Sequence, residues 1–210
     1  MTGSTLNMHY TIADPKTFGI SEYEPVLPIY HSDQPEDSKE HCSDLLHRLD
    51  RIDPDRLSPE NAYTYRLLHR SLENDLALAD FPYYNEPLSP SSGMQSQLPV
   101  LLAEYTFRTK RDVTDYLALL DQIDDYFASL LLYEQEKAAA GFFMPACSSE
   151  KVRKQCDTIV TTEELAQGTH FLQTTFEDRL SELQKQGLFT PEETASLIET
   201  NDRLLATVVQ

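Results

Sequence analysis

Between residues 110 and 141 the apolar positions recur in steps of three and four: Val113, Tyr116, Leu117, Leu120, Ile123, Phe127, Leu130 and Leu131. That spacing lays one continuous apolar stripe along a helix. Thr109 with Asp112 three residues on resembles a capping box, with Asp in place of the usual Glu. Ala138, Ala139 and Ala140 are strong helix formers, and Gly141 follows them as a natural C′ residue. The pattern predicts a helix, or two helices broken near 123–125, around which the rest of the chain is organised. Unbroken it would run about 40 Å at ~1.5 Å per residue, longer than a small domain is wide, so other helices must pack along it. Just before it, the apolar run 98–102 contains Pro99 and reads as an ordered entry segment or an edge strand.

The same reasoning places further helices. Residues 4–13 form a short one, ended at Asp14–Pro15 because the residue before proline avoids the α region. Residues 36–52 form another, with Cys42, Leu45, Leu46, Leu49 and Ile52 as its buried stripe. Ser58 as N-cap and Pro59 at N1 restart a helix whose stripe is Tyr65, Leu68, Leu72, Leu76 and Ala79. The short link makes these two antiparallel neighbours. Ser148 or Ser149 is expected to cap a helix reaching Val160. Another lies within 169–186, with Phe171, Leu172, Phe176, Leu180 and Leu183 inward and Gly187 as C′ residue. Thr190 and Pro191 open the last helix, and Glu192 and Glu193 suit the positive end of its dipole.

Two irregular stretches interrupt these helices. Residues 16–34 carry prolines and the aromatics Tyr23 and Tyr30, which are expected to pin the segment to the core. Residues 82–97 are expected to be a second proline- and serine-rich loop. The last helix has the apolar face Leu197, Ile198, Leu204, Leu205, Val208 and Val209, with polar Asn201 in the stripe and no stop signal. Val208 and Val209 find no evident partner, so this helix is expected to fray from Asn201 onward. The chain therefore reads as a fragment of a longer one, a single helical lobe, and the exposed helix could carry a dimer. The fold class is all-α, an antiparallel multi-helix lobe with long proline-rich loops.

Composition narrows the functions. Of 210 residues, 35 are acidic and 17 basic, a formal net charge of −18. Such a chain repels phosphate backbones and anionic membrane surfaces, which argues against nucleic-acid binding. Three cysteines, Cys42, Cys147 and Cys156, give no disulfide framework and read as free, partly buried thiols. No apolar run approaches the ~18 residues of a membrane span, so no membrane insertion is expected. The first eleven residues lack the basic and apolar regions of a signal peptide.

Catalytic signatures are missing. His9, His31, His41, His47, His69 and His170 include no pair four apart, and none is followed by Glu. A zincin needs both features to hold zinc from one helix face and activate water. Each histidine reads as a surface or capping residue. The acidic pairs Glu22/Glu24, Asp124/Asp125 and Glu192/Glu193 read as solvated. There is no Gly-x-Ser-x-Gly elbow and no phosphate-cradling glycine loop. One constellation carries substrate-binding chemistry: Gln97, Glu104, Tyr105 and Arg108 flank the Pro99 segment. These groups could hold a peptide backbone or carboxylate, with Arg108 as the carboxylate clamp. The plainer alternative pairs Glu104 with Arg108 on the surface. No catalytic or metal-ligating residue is assigned.

Several pieces taken in order carry a resemblance: HYTIADPKTFGI (9–20), GMQSQLPVLLAEY (93–105), DYLALL (115–120), EKAAAGFFMP (136–145) and GLFTPEETASLIETNDRLL (187–205). Together they resemble the bacterial domain-of-unknown-function family 885. The resemblance implies a large helical protein with zincin-type zinc metallopeptidase activity, carboxypeptidase-like, acting on a peptide substrate. Its His-Glu-x-x-His helix is absent here. This chain would then supply cleft wall and scaffold, hold no cofactor itself and be inactive alone, the zinc belonging to the full-length protein. The alternative is a self-contained helical binding module that engages a partner protein through exposed tyrosines.

Overall fold

The computed structural model describes residues 4–30 and 34–209, and among these all regular structure is helical. They cluster into two compact units: Met1–Tyr30, Pro87–Glu134 and Phe143–Gln210 in the first, His31–Glu86 and Gln135–Phe142 in the second. His31 and Gln210 lie outside the described residues.

The first unit is built on α5 (Lys110–Leu120) and the start of α6 (Ile123–Ala139). Val113, Tyr116, Leu117, Leu120, Ile123 and Leu130 are buried as the stripe requires. The break falls at Asp121–Gln122, two residues before the expected place. The interruption resets the helical phase. Leu131 is consequently 59% exposed, while Tyr126 turns inward; Leu119, before the break, is buried as well. Thr109 and Asp112 form the full reciprocal capping box. At the other end of α6, Gly141 takes φ 88°, and the Phe142 amide closes back on the Lys137 carbonyl.

The break also holds the irregular segment. Gln122 accepts from the Leu27 amide and donates to the Pro25 carbonyl. Thr5, on α1 (Thr5–Thr11), exchanges backbone and side-chain bonds with Val26. Ser129 accepts from the Tyr30 amide, and Tyr30 packs against Tyr126 and Tyr133. Aromatic pinning is observed, and polar side chains on the central helices supplement it. They satisfy backbone groups that no strand partner reaches.

Pro99 decides between two expectations. It lies inside α4 (Met94–Ala103), so the ordered entry segment is a helix and not an edge strand. Proline in a helix interior removes one backbone bond. Burial of Leu98, Pro99 and Leu102 offsets that loss, as α4 packs against α7 (Ala146–Ile159) and α9 (Phe171–Lys185). The loop before α4 therefore ends at Gly93, its N-cap, short of residue 97. A Cβ at Gly93 would meet Gln95 Oε1 at 2.1 Å and the Ser89 nitrogen at 2.2 Å, so this position needs glycine for space.

Other boundaries shift for local reasons. Pro145, with φ −56°, is N-cap of α7, so Ser148 and Ser149 sit inside the helix and do not cap it. A six-residue helix, α8 (Thr162–Gln167), capped by Thr161 and ended by left-handed Gly168, is too short to show a period. His170 caps α9, accepting from the Leu172 amide at Nδ1 while Nε2 reaches the Ile159 carbonyl. Leu172, Phe176, Leu180 and Leu183 are buried, but Phe171 is 37% exposed at the helix's first position. Cys147 and Cys156 are exposed and only Cys42 is partly covered.

The last helix, α10 (Pro191–Leu204), continues as a π-helical turn, Leu205–Val209. Asn201 is fully buried. Val208 and Val209 pack partly buried against the core. They border an apolar cavity of about 280 Å³ with Leu98, Leu102, Phe127 and Leu172. The expectation that they lack a partner is thus overturned: the change of helical pitch turns both toward α4 and α6.

The second unit is a hairpin of α2 (Gln34–Leu49) and α3 (Pro59–Leu78). Lys39 pairs with Asp80, and Asp50 with His69 at 3.2 Å, so the helices run antiparallel. Two helices cover each other on one side only. The expected buried stripes are therefore at best partly covered; Ile52 and Leu68 are 44% and 51% exposed. The unit's buried cation is Lys137, 2.8 Å from Glu86 and donating to the Asn85 carbonyl. Among the described residues no helix is long and apolar enough to cross a membrane.

Candidate functional site

The four residues singled out in the sequence do not share one surface. Gln97 is exposed on α4, and Glu104, its C-cap, is exposed as well. Tyr105 is 1% exposed. Its ring stacks on His9 at 3.7 Å and meets Phe107 and Tyr116 edge-on or tilted. Burial pushes the Tyr105 phenol far above its ordinary range. Tyr105 is therefore a core residue. Arg108 is exposed, directly before the α5 capping box. It forms no ion pair with Glu104 or with any other described residue.

Arg108 instead borders a cleft of about 540 Å³, shared with Asp14, Lys16, Tyr23, Arg111 and Asp112. Asp14 caps the 3₁₀ turn Pro15–Phe18 by accepting from the Lys16 amide, and left-handed Gly19 ends that turn. The Tyr23 hydroxyl donates to Asp115 Oδ2 at 2.7 Å. Arg111 sits over the Tyr23 ring at 3.9 Å, with Nε 3.4 Å from the same carboxylate and Nη2 donating to the Tyr23 carbonyl. Burial and the bond to Asp115 push the Tyr23 phenol up to about 12.

The acids of this cleft are spent on the backbone. Asp112 Oδ2 accepts from the Arg108 and Thr109 amides and from the Thr109 hydroxyl. Asp112 Oδ1 lies 3.9 Å from His9 Nδ1. The cations are less constrained: Lys16 and Arg108 have no carboxylate partner among the described residues. In a chain of net charge −18 this cleft gathers three basic side chains against two acidic ones. Lys16, Tyr23, Arg111 and Asp115 were not placed at a site by the sequence, which offered Tyr23 only as a pinning aromatic. The Arg111–Asp115 spacing of four on one helix was the one signal available for them.

His9 is buried, contrary to its reading as a surface or capping residue, because α1 lays it against Tyr105. Burial lowers its pKa, opposed by Asp112 and reinforced by Arg108. The folded state therefore binds this proton less readily than the unfolded chain. Below the unfolded value, about 6.5, the unfolded state takes up more protons and stability falls with pH until the folded value is reached. Urea midpoints should rise between pH 5 and pH 7.5, and His9→Phe should flatten part of that rise. An unchanged slope in His9→Phe would assign it to other groups.

No three His, Cys, Asp or Glu side chains among the described residues gather where they could hold a metal ion.

No curated protein matches the chain. The crystal structure of the "putative lipoprotein from Colwellia psychrerythraea" superposes with a TM-score of 0.75 at 14% identity, over 97% of this chain and 35% of that one. The likeness shows a shared helical fold, and the present chain spans about a third of that neighbour's length. The model of the family described as bacterial protein of unknown function (DUF885) matches residues 16–209. The chain belongs to this family of bacterial proteins of unknown function.

Proposed function

We propose that the chain is a helical substrate-cleft and scaffold lobe of a zinc metallopeptidase with carboxypeptidase-like substrates, the zinc and its ligands being supplied by other parts of a longer protein. One observation carries the reading. In a strongly acidic molecule, Arg108 lines a ligand-sized cleft and has no carboxylate partner among the described residues. The structural neighbour, of which this chain matches 35%, fits a lobe within a longer helical protein. Short peptides should bind the chain weakly and remain uncut when zinc is added, followed by mass spectrometry. Zinc-dependent cleavage by the chain itself, abolished by chelation, would contradict the scaffold role.

The second unit favours the alternative of a protein-binding module. Tyr63, Leu67, Leu78, Phe81 and Tyr84 are each more than half exposed. A partner protein captured through this face, and lost in a Tyr63→Ser/Leu67→Ser variant that still folds, would favour the module over the peptidase lobe.

A further inference from the structure

We propose that the cleft of Lys16 and Arg108 is a receptor for the free α-carboxylate of a peptide. This names the substrate group for the peptidase-lobe reading and rests on it only for biological purpose, since the binding chemistry is complete without zinc. Three observations lead here. First, the cleft's volume, about 540 Å³, lies within the ~300–1,000 Å³ typical of ligand pockets. Second, the charge is available. Each acidic side chain around the cleft is committed: Asp14 to the Lys16 amide, Asp112 to two amides and a hydroxyl, Asp115 to Tyr23 and Arg111. Lys16 and Arg108 have no carboxylate partner among the described residues. Third, one wall of the cleft is held in place: Arg111 lies over the Tyr23 ring, donates to its carbonyl and pairs with Asp115.

A carboxylate suits this arrangement. Arginine offers a planar fork for two carboxylate oxygens, and lysine adds a point charge. An amide end presents no charge to either. The chain as a whole carries a net charge of −18, so a ligand carrying many negative charges is disfavoured on approach more than a peptide with one terminal carboxylate.

Calorimetric titration of the chain with acetyl-Ala-Ala, acetyl-Ala-Ala-amide and inorganic phosphate tests this. The acid should bind at least ten-fold more tightly than the amide, and equimolar phosphate should not displace it. The preference should weaken as salt is raised, disappear in Lys16→Ala/Arg108→Ala, and survive in part in Arg108→Lys. Equal affinity for acid and amide, no binding of the acid, displacement by phosphate, or an unchanged preference in the double variant would each overturn the proposal. Failure here leaves the scaffold role standing. Zinc-dependent cleavage by the chain would instead remove the scaffold role and leave the carboxylate site.

Discussion

Leu120→Ala should destabilise the first unit by about 2–5 kcal/mol, the range for truncating a fully buried leucine and leaving a cavity. Leu120 has no exposed surface and sits where α5 ends, among the core residues Tyr116, Ile123 and Phe176. Leu130, 1% exposed on α6, should behave alike. Asp121, the exposed C-cap next to Leu120, points off the stripe, and Asp121→Ala should move stability by no more than ~0.5 kcal/mol. Urea unfolding of the three variants measures the contrast. Small, equal effects would mean that α5 and α6 do not form the core.

Arg179→Ala should cost about 2–4 kcal/mol, for a different reason. Arg179 Nη1 donates to the carbonyls of Leu102 and Tyr105, where α4 ends, and Nε donates to the Thr175 carbonyl. Its guanidinium lies 4.5 Å from the Phe107 ring centroid and 5.2 Å from that of Tyr116. Burial lowers the pKa of this group, with Tyr116 opposing. A cation at a helix C-terminus meets both the orphan carbonyls and the negative end of the dipole. Removing it takes a donor from the Tyr105 carbonyl and from the Leu102 carbonyl, the latter keeping the Tyr105 amide; lost bonds cost ~1–3 kcal/mol each, partly recovered by water. Arg179→Lys keeps charge but loses the fork, so it should still lose more than ~1 kcal/mol. Wild-type stability in Arg179→Met would show that the α4 terminus needs no donor.

Most helices were legible because periodicity and caps are local. The Thr109/Asp112 and Thr190/Glu193 boxes lie three residues apart, and both are formed. That the ordered segment around Pro99 is a helix was not legible, because proline's tolerance in α4 depends on burial against α7 and α9, which are distant in sequence. The valines at 208 and 209 were misread because a π-helical turn has no sequence period to announce it. At the site, the sequence singled out Arg108 by residue type, as a carboxylate clamp, and left its pairing with Glu104 open. Lys16 and Tyr23 were not placed there. They reach Arg108 and Arg111 only through the path of residues 16–30, which Gln122, Ser129 and Asp115 fix from about 90 residues away. Tyr105 was drawn into the site by its neighbours in sequence, yet aromatic packing places it in the core.

Chemical-shift mapping of the labelled chain with acetyl-Ala-Ala tests the account most directly, because it reads position as well as binding. The largest shifts should fall on Lys16, Tyr23, Arg108, Thr109 and Arg111. The groove lined by Ala195, Ile198 and Ala206 and the hairpin of α2 and α3 should stay unshifted. Largest shifts in that groove or on Tyr63 and Leu67, with Arg108 unmoved, would contradict a carboxylate-binding cleft at the start of α5.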